Sequence, residues 1–216
     1  SMMLKQTVSG APEPTVVSVP PPHAEGLPVG GIIDDRYEIL SELGRGGMGT
    51  VYLAHDGTLM EEVAIKVISN QGLPAGAVNM FKQELRLARK ITHPNVLRNH
   101  DFGLLDDRCY ISMEYVQGVN LYDLIRSKGP FSLRIGLMMA RQLCAAMAAA
   151  HREGIIHRDL KPQNVIINNR GILKIMDFGL ALYLEDEKHC GEGNTMCGTP
   201  QFMAPEQFLA RGIDER

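Results

Sequence analysis

Two patterns of hydrophobic and polar positions follow one another along the chain. The first comprises short runs rich in Val, Ile, Leu and Tyr with Gly or Asp between them, which predict antiparallel strands joined by tight turns. These runs are YEILSELG, TVYLAHD and EEVAIKVIS. Apolar residues at helical spacing follow at Val78, Phe81, Leu85, Ala88 and Ile91. A small sheet accompanied by one helix is therefore predicted.

The second pattern is mainly helical. After the further strand CYISMEYV, the segment 131–154 begins with the helix cap Ser132 and ends with the stop signal Gly154. Its Ala, Met and Leu interior is apolar nearly all round, so we expect this long helix to be buried. Two short strands, at 164–168 and 172–177, come after it. The predicted fold class is α+β.

Size and charge narrow the classes of function. The chain has 216 residues, of which 44% are hydrophobic, so it can form one or two globular units with a core. Its net charge of −3 gives no basic excess, and we expect neither a nucleic-acid partner nor an anionic membrane surface. The start shows no signal-peptide pattern, and no uncharged apolar run reaches about 18 residues, so we expect no membrane span in this chain.

The four cysteines favour a reducing compartment. Cys109, Cys144, Cys190 and Cys197 follow no disulfide or zinc spacing, which predicts a cytoplasmic location, although the parent protein could carry a membrane anchor. Cys190 and Cys197 share one loop, where a redox or metal pair is the less favoured alternative.

Residues 1–30 form a separate, Pro-rich region. They hold six of the twelve prolines and few large apolar side chains, which favours a flexible or polyproline-like tail. A plain linker and a docking segment for a partner are both consistent with this composition.

A glycine-rich loop joins the first two predicted strands. LGRGGMGTV places Gly44, Gly46 and Gly49 in the pattern G-x-G-x-x-G. In a dinucleotide-binding fold this pattern leads into a helix, whereas here it leads into a strand. The loop therefore predicts a hairpin whose backbone N–H groups can cover phosphates, with an ordinary glycine-rich hairpin as the alternative.

A lysine and a glutamate form a second candidate pair. Lys66 follows three apolar residues on a candidate central strand, and Glu84 shares a helical stripe with Phe81 and Ala88. An inward carboxylate is costly unless a cation meets it. We expect Lys66 and Glu84 to pair, which would let Lys66 contact the α and β phosphates of a nucleotide. A solvated strand lysine is the alternative.

The segment IIHRDLKPQNVII, at 155–167, sets polar side chains between two apolar runs. The polar residues are Arg158, Asp159, Lys161, Gln163 and Asn164. A core segment would not tolerate these charges without partners, and a plain surface loop would not need the apolar flanks. A functional loop anchored on both sides is therefore predicted.

Seven motifs occur here in the order of one known family. They include LGRGGMGTVYLA, HRDLKPQN and GTPQFMAPEQ, and the chain resembles the eukaryotic-type (Hanks-type) Ser/Thr protein kinases, the bacterial members most of all. The resemblance runs from about Tyr37 to the last residue. It implies a bilobal fold, with an N-lobe and hinge at 31–116 and an incomplete helical C-lobe at 117–216 that ends after the activation segment.

The resemblance assigns catalytic roles to the polar loop. Asp159 is similar to the base that accepts the proton of the substrate hydroxyl, and Lys161 to the cation that stabilises the transferred phosphoryl group. Asn164 and Asp177 would hold Mg²⁺, with Mn²⁺ as the alternative ion. Gln163 stands where relatives often carry Glu, and only a backbone-level role in peptide binding is expected.

The same resemblance implies where ATP binds. The implied contacts of the adenine ring are Val51, Ala64, Glu114, Val116 and Ile166. Glu114 and Val116 would act through backbone groups of the hinge, and Met113 would be the gatekeeper. The ribose partner is left open between Asn120 and Asp123.

A polar, Gly-rich segment after MDFG is similar to an activation segment. Thr195 matches the position of a regulatory phosphate in many relatives, and a phosphate there could pair with Arg158. Thr199 resembles the residue that bonds the catalytic Asp and Lys and marks Ser/Thr specificity. The acidic residues 185–187 are either a solvated loop or a preference for basic substrates.

The chain departs from the family pattern at its end. It stops ten residues after APE, where such kinases continue through further helices, so we expect a C-terminally truncated catalytic domain. The long apolar helix would then lack a cover, which predicts a homodimer or segment exchange. Two functions follow: a Ser/Thr protein kinase that phosphorylates a protein with ATP, weak or inactive in this form, and a nucleotide-binding scaffold without turnover.

Overall fold

A six-stranded antiparallel sheet forms the N-terminal lobe of the computed structural model. The ranges that the structure describes are 26–46, 49–69, 77–105, 108–178 and 199–209. The strands are β1 (Ile32–Ile33), β2 (Tyr37–Gly46), β3 (Gly49–Asp56), β4 (Glu61–Ser69), β5 (Asn99–Leu105) and β6 (Arg108–Glu114). Their spatial order is β1-β2-β3-β4-β6-β5.

The two faces of this sheet carry separate cores. Along β4, Ala64 and Ile68 belong to one cluster of buried side chains, whereas Ile65 and Val67 belong to another. Successive side chains of a strand point to opposite faces, which explains this alternation. Lys66 lies on the same face as Ala64 and Ile68, where helix α1 (Ala77–Ala88) also packs.

The C-terminal lobe combines helices with a second sheet. Its elements are β7 (Gly118–Asn120), α2 (Leu121–Lys128), α3 (Leu133–Arg152), β8 (Val165–Asn168), β9 (Leu173–Ile175) and α4 (Pro205–Phe208). The three strands pair antiparallel in the order β7-β8-β9. Single 3₁₀ turns occur at Pro162–Asn164 and Pro200–Phe202.

The chain between α1 and β5 is fastened to the C-terminal lobe. The Leu97 N–H donates to the Ile175 carbonyl at 2.8 Å, and the Ile175 N–H donates to the Asn95 carbonyl at 2.9 Å. The Asn95 side chain also donates to the Leu173 carbonyl at 2.7 Å. These bonds hold β9, and hence Asp177 just beyond it, against the N-terminal lobe.

Sequence-derived boundaries of the long helix agree with the structure. The Ser132 hydroxyl accepts from the Ile135 N–H at 3.5 Å and begins α3, and Gly154, at φ +71°, follows its end. The predicted strands between 37 and 69, and those at 109–116, 164–168 and 172–177, are confirmed. The strands β1, β5 and β7 and helix α2 were not predicted.

The expectation that α3 is buried is correct for one face only. Ala146, Ala149 and Ala150 pack in the core beside β9, whereas Leu133 and Leu137 are 77% and 60% exposed. Among the described helices, α3 is the one that is long and apolar enough to cross a membrane. That is weak evidence of a span, because the alanine face packs against folded strands. The expectation of no membrane span stays a prediction.

Candidate active site

His157 anchors the predicted functional loop. It is 1% exposed, its Nε2 lies 2.9 Å from the Met176 carbonyl oxygen, and its ring lies 4.6 Å from that of Phe178. Burial lowers the pKa of His157, so the ring is neutral at pH 7. Nε2 then donates to Met176, and Nδ1 accepts from the Asp159 N–H at 3.3 Å. Sequence reasoning did not select His157, although its place beside the apolar pair before it was a usable signal.

Asp159 sits in a dense set of donors. Its Oδ1 accepts from the hydroxyl and the N–H of Thr199 at 2.8 and 3.0 Å, and its Oδ2 lies 2.7 Å from Lys161 Nζ. Burial raises the pKa of this carboxyl, but hydrogen bonds from Lys161 and Thr199 outweigh burial, and the net pKa lies below the usual value. Asp159 is therefore ionised at neutral pH.

Thr199 closes a three-residue network. Its hydroxyl donates to Asp159 and accepts from Lys161 Nζ at 2.6 Å. Asp159 and Lys161 are two residues apart in the chain, but Thr199 lies 40 positions from Asp159 and is brought in by the tertiary structure. The contacts are those that the family resemblance implied for this threonine.

Asn164 and Asp177 supply oxygen atoms that suit a divalent cation. The Nδ2 group of Asn164 donates to the Asp159 backbone carbonyl at 2.9 Å and to the Asp159 carboxylate at 3.2 Å. Its Oδ1 accepts no hydrogen bond from the described residues, which leaves it available to a hard cation. The described residues hold no cluster of three His, Cys, Asp or Glu side chains. An amide, a carboxylate, phosphate oxygens and water match the ligand habits of Mg²⁺.

The predicted ion pair between Lys66 and Glu84 is absent from the structure. Lys66 Nζ instead lies 2.8 Å from Asp177 Oδ2, with side chains only 7% and 10% exposed. Glu84 is half-buried and pairs with no cation in the described ranges. The buried stripe of α1 runs through Phe81 and Leu85, so Glu84 lies at the edge of this stripe. A carboxylate at that position remains partly hydrated. The prediction placed Glu84 too far inward.

The glycine-rich loop is a hairpin, as its sequence predicts. Gly44 pairs with Val51 and Gly46 with Gly49 across β2 and β3. Gly49 has φ +122°, and a side chain there would collide with the Val67 carbonyl oxygen. Gly44 and Gly46 border open space, so their missing side chains leave room for a ligand beneath the hairpin.

A cleft of about 770 Å³ lies beneath this hairpin, between the two lobes. Its lining includes all the predicted adenine contacts, namely Val51, Ala64, Glu114, Val116 and Ile166, together with the predicted gatekeeper Met113. Lys66, Lys161 and Asp177 form its polar end. Leu43, Leu97 and Met176 also line the cleft and were missed. Leu43 and Met176 belong to the motifs LGRGGMGTV and MDFG, which were chosen for their Gly and Asp residues, whereas Leu97 comes from a segment without a motif.

The structure describes some of the residues around the cleft whose roles the sequence left open. Asn120 lines it and caps α2, its Oδ1 accepting from the Asp123 N–H at 2.8 Å, while Asp123 is not part of the lining. Gln163 lines the cleft too. Thr195, the acidic residues 185–187 and the loop cysteines lie outside the described residues. Arg158 makes no ion pair with the residues that are described.

Comparisons with known proteins agree on one family. Residues 37–215 match the family described as protein kinase domain. The serine/threonine-protein kinase pkn2 of Myxococcus xanthus is 39% identical over 191 residues, which are 86% of this chain and 23% of that protein. PrkC of Bacillus subtilis is 38% identical over 185 residues, which are 85% of this chain and 28% of that protein. The chain thus spans about a quarter of the length of these curated relatives.

Solved structures show the same fold. The crystal structure of the Mycobacterium tuberculosis PknI kinase domain aligns with a TM-score of 0.68 and 26% identity, over 88% of this chain and 70% of that one. The bilobal fold predicted from the motifs is confirmed by this likeness.

Proposed function

Since this chain belongs to the protein kinase domain family, we propose that its protein transfers the γ-phosphoryl group of ATP to Ser or Thr hydroxyls of a protein substrate. The observation that carries this proposal is the closed network of Asp159, Lys161 and Thr199, of which Lys161 lines the polar end of the cleft. The serine/threonine kinase names of relatives such as pkn2 and PrkC support the class of substrate.

Asp159 orients the substrate and accepts its proton. As the hydroxyl oxygen bonds to the γ-phosphorus, the bond from that phosphorus to the leaving ADP oxygen breaks, and the hydroxyl proton passes to Asp159. The hydrogen bonds from Thr199 and Lys161 hold the carboxylate in one orientation, which lowers the entropic part of the barrier.

Two lysines offset the phosphate charge. Lys66 and Lys161 both line the cleft, Lys66 beneath the glycine hairpin and Lys161 beside Asp159. Lys66 suits the α and β phosphates and Lys161 the transferred group. The apolar walls at Val51, Ala64 and Ile166 suit the adenine ring.

Asn164 and Asp177 would hold Mg²⁺, with Mn²⁺ as the alternative ion. When bound, the cation would neutralise phosphate charge between these two side chains. A cation at Asp177 competes with Lys66, which now holds that carboxylate at 2.8 Å. Glu84 is the other carboxylate, the one that helical spacing in the sequence predicted as the partner of Lys66.

A second function, nucleotide binding without turnover, is favoured by one observation. In the ion pair of Lys66 with Asp177, the proposed phosphate-binding cation is bonded to a proposed metal ligand. Glu84 has no ion-pair partner in the described ranges. A scaffold that keeps this arrangement would bind nucleotide and transfer nothing.

Transfer of labelled phosphate from ATP to the general kinase substrate myelin basic protein separates the two functions. We expect Mg²⁺-dependent transfer by the parent protein and none above background by its Asp159→Asn variant. Equal background in both, together with measurable ATP binding, would favour the scaffold. The same assay on residues 1–216 measures what this chain does by itself.

Thr195 is proposed as a phosphorylation site whose phosphate would form an ion pair with Arg158. Support comes from the resemblance and from Arg158, which is adjacent to the base and has no described anionic partner. Phosphosite mapping before and after addition of ATP should find Thr195, and Thr195→Ala should lower activity. Unmodified Thr195 in an active preparation would contradict this role.

Self-association and location complete the proposal. The exposed apolar face of α3, with Leu133 and Leu137, supports a homodimer of this chain. Light scattering of the wild type should show a dimer that Leu133→Lys with Leu137→Lys dissociates, and a wild-type monomer would contradict it. The scattered cysteines support a cytoplasmic location for this part of the protein.

A further inference from the structure

The amide of Gln207 reaches from α4 back to the catalytic loop. Its Nε2 donates to the Arg158 carbonyl oxygen at 2.7 Å, and its Oε1 accepts from the Ala204 N–H at 3.1 Å. The residue is 9% exposed. We infer that Gln207 is a positioning residue for Asp159, and this inference rests on the proposed kinase function.

The backbone that Gln207 contacts is in an unusual conformation. Arg158 has φ +65°, in the left-handed region that non-glycine residues seldom adopt. Such a conformation persists only where surrounding contacts hold it. Because the carbonyl carbon of Arg158 is bonded to the nitrogen of Asp159, a bond to that carbonyl fixes the peptide plane leading into the base.

Gln207 provides the tighter of the two hydrogen bonds that the described residues make to this peptide plane. On its N–H side, Asp159 donates to His157 Nδ1 at 3.3 Å, near the long limit for a hydrogen bond. On its carbonyl side, Gln207 donates to Arg158 at 2.7 Å. Without the amide, the strained plane would be held on its weaker side alone.

The segment 199–209 therefore contacts the base at two independent points. Thr199 bonds the carboxylate of Asp159, and Gln207 bonds the backbone directly before it. With both its backbone and its side chain held, Asp159 has little freedom to rotate its carboxylate away from the observed orientation. A shift of this segment would release both contacts together, which links its position to the readiness of the base.

The amide side chain of Gln207 meets two requirements at this position. The Arg158 carbonyl needs a donor and the Ala204 N–H needs an acceptor, and the Gln side chain supplies one of each. An ionised Glu of the same length keeps the acceptor for the Ala204 N–H. It places an oxygen instead of an N–H group opposite the Arg158 carbonyl, so that hydrogen bond is lost. Gln207→Glu and Gln207→Met thus remove the donor in two different ways while keeping the length of the side chain.

The test compares both variants with wild type in the parent protein and in residues 1–216. Gln83→Glu makes the same charge change on the exposed side of α1 and serves as the control. We expect kcat to fall about tenfold or more in both Gln207 variants, with the KM for ATP within about twofold, because binding groups stay in place. Hydrogen–deuterium exchange across residues 155–167 should be several-fold faster than in wild type and in the control.

Two outcomes would overturn the inference. Unchanged exchange across 155–167 in both variants would show that the amide does not hold the loop. A lower melting temperature with unchanged kcat would show that Gln207 only stabilises the fold. If the wild type transfers no phosphate, the proposed function fails separately, and the exchange measurement still decides whether Gln207 fixes this backbone.

Discussion

The two sides of the cleft differ in how completely their polar groups are assembled. On the C-terminal side, Asp159, Lys161 and Thr199 bond one another at 2.6 to 2.8 Å. On the N-terminal side, Lys66 bonds Asp177 across the cleft, and Glu84 has no ion pair with the described residues. The C-terminal side holds the arrangement that the proposed phosphoryl transfer would need, whereas the N-terminal side holds a different one.

The difference reflects how each group is carried. Asp159 and Lys161 share one anchored loop, and Thr199 binds both of them. Lys66 belongs to a strand paired on both edges, whereas Glu84 belongs to a helix that packs through a single buried stripe. A carboxylate at the margin of that stripe changes partner when the helix rotates by a fraction of a turn. We therefore expect α1 to be the adjustable part of the site.

The largest expected effect comes from the base itself. Asp159→Asn keeps the shape of the side chain but cannot accept a proton at neutral pH, so phosphate transfer should fall about a thousandfold or more. ATP affinity, measured by calorimetry, should stay within about threefold. Asp35→Asn, at an exposed turn, should leave both unchanged. More than a tenth of the wild-type rate in Asp159→Asn would remove this residue from the chemistry.

The next effect separates the two carboxylates that compete for Lys66. Lys66→Met should lower transfer about a hundredfold or more because the phosphates lose a cation. Glu84→Gln should lower it about tenfold if Lys66 changes partner when a metal occupies Asp177. Steady-state kinetics with varied Mg²⁺ and ATP measure both variants. Full activity of Glu84→Gln would mean that the pair seen here persists through turnover.

A smaller effect is expected from the network that holds Asp159. Thr199→Val removes two hydrogen bonds of the hydroxyl and should lower kcat several-fold. The pKa of Asp159 lies below its usual value in the folded protein, so its stabilising contribution is complete above the unfolded pKa of about 3.9 and is lost as pH falls through the lower folded pKa. The variant should raise that folded pKa.

The check on Thr199→Val is its unfolding free energy as a function of pH. The deficit relative to wild type should be largest near neutral pH and should shrink on acidification below about pH 4. Thr58→Val, in an exposed turn, is the control. A deficit independent of pH would show that the hydroxyl does not act through the carboxylate.

The smallest effect on activity is expected far from the cleft. Arg36 binds the buried Asp56 carboxylate at 2.7 to 3.1 Å, and this hydrogen bonding lowers the pKa of Asp56 to about 2. Asp56→Asn should lower the free energy of unfolding by about 2 to 4 kcal/mol at pH 7 and leave kcat within about twofold.

The sign of the pH dependence follows from the lowered pKa. The contribution of Asp56 is complete above its unfolded value of about 3.8 and is lost as pH falls through about 2, so wild type and variant should converge there. Urea unfolding at several pH values measures this. Glu42→Gln, which breaks only the exposed pair with Arg45, should leave the free energy of unfolding nearly unchanged. A large loss of activity in Asp56→Asn would mean that the sheet and the catalytic groups are not independent.

Most elements of the fold were predictable because local sequence decides them. The strand β4 carries a Val and Ile alternation, and α3 carries its own cap and stop residues. The strand β5, NHDFGLL, was missed because its first three residues are polar and its pairing with β6 is not visible in the local sequence. The strand β7 has three residues, too few to show a period.

Sequence alone determined which chemical groups this protein can bring to a reaction. The spacing of Asp159, Lys161 and Asn164 puts a carboxylate, a cation and an amide on one short loop between apolar flanks, within about 18 Å of one another even in a fully extended chain. The tertiary structure decided the partners that come from elsewhere. Thr199 and Gln207 meet the loop, and Lys66 meets Asp177 and not Glu84, because packing of whole helices and strands, rather than local spacing, fixes distances between remote segments.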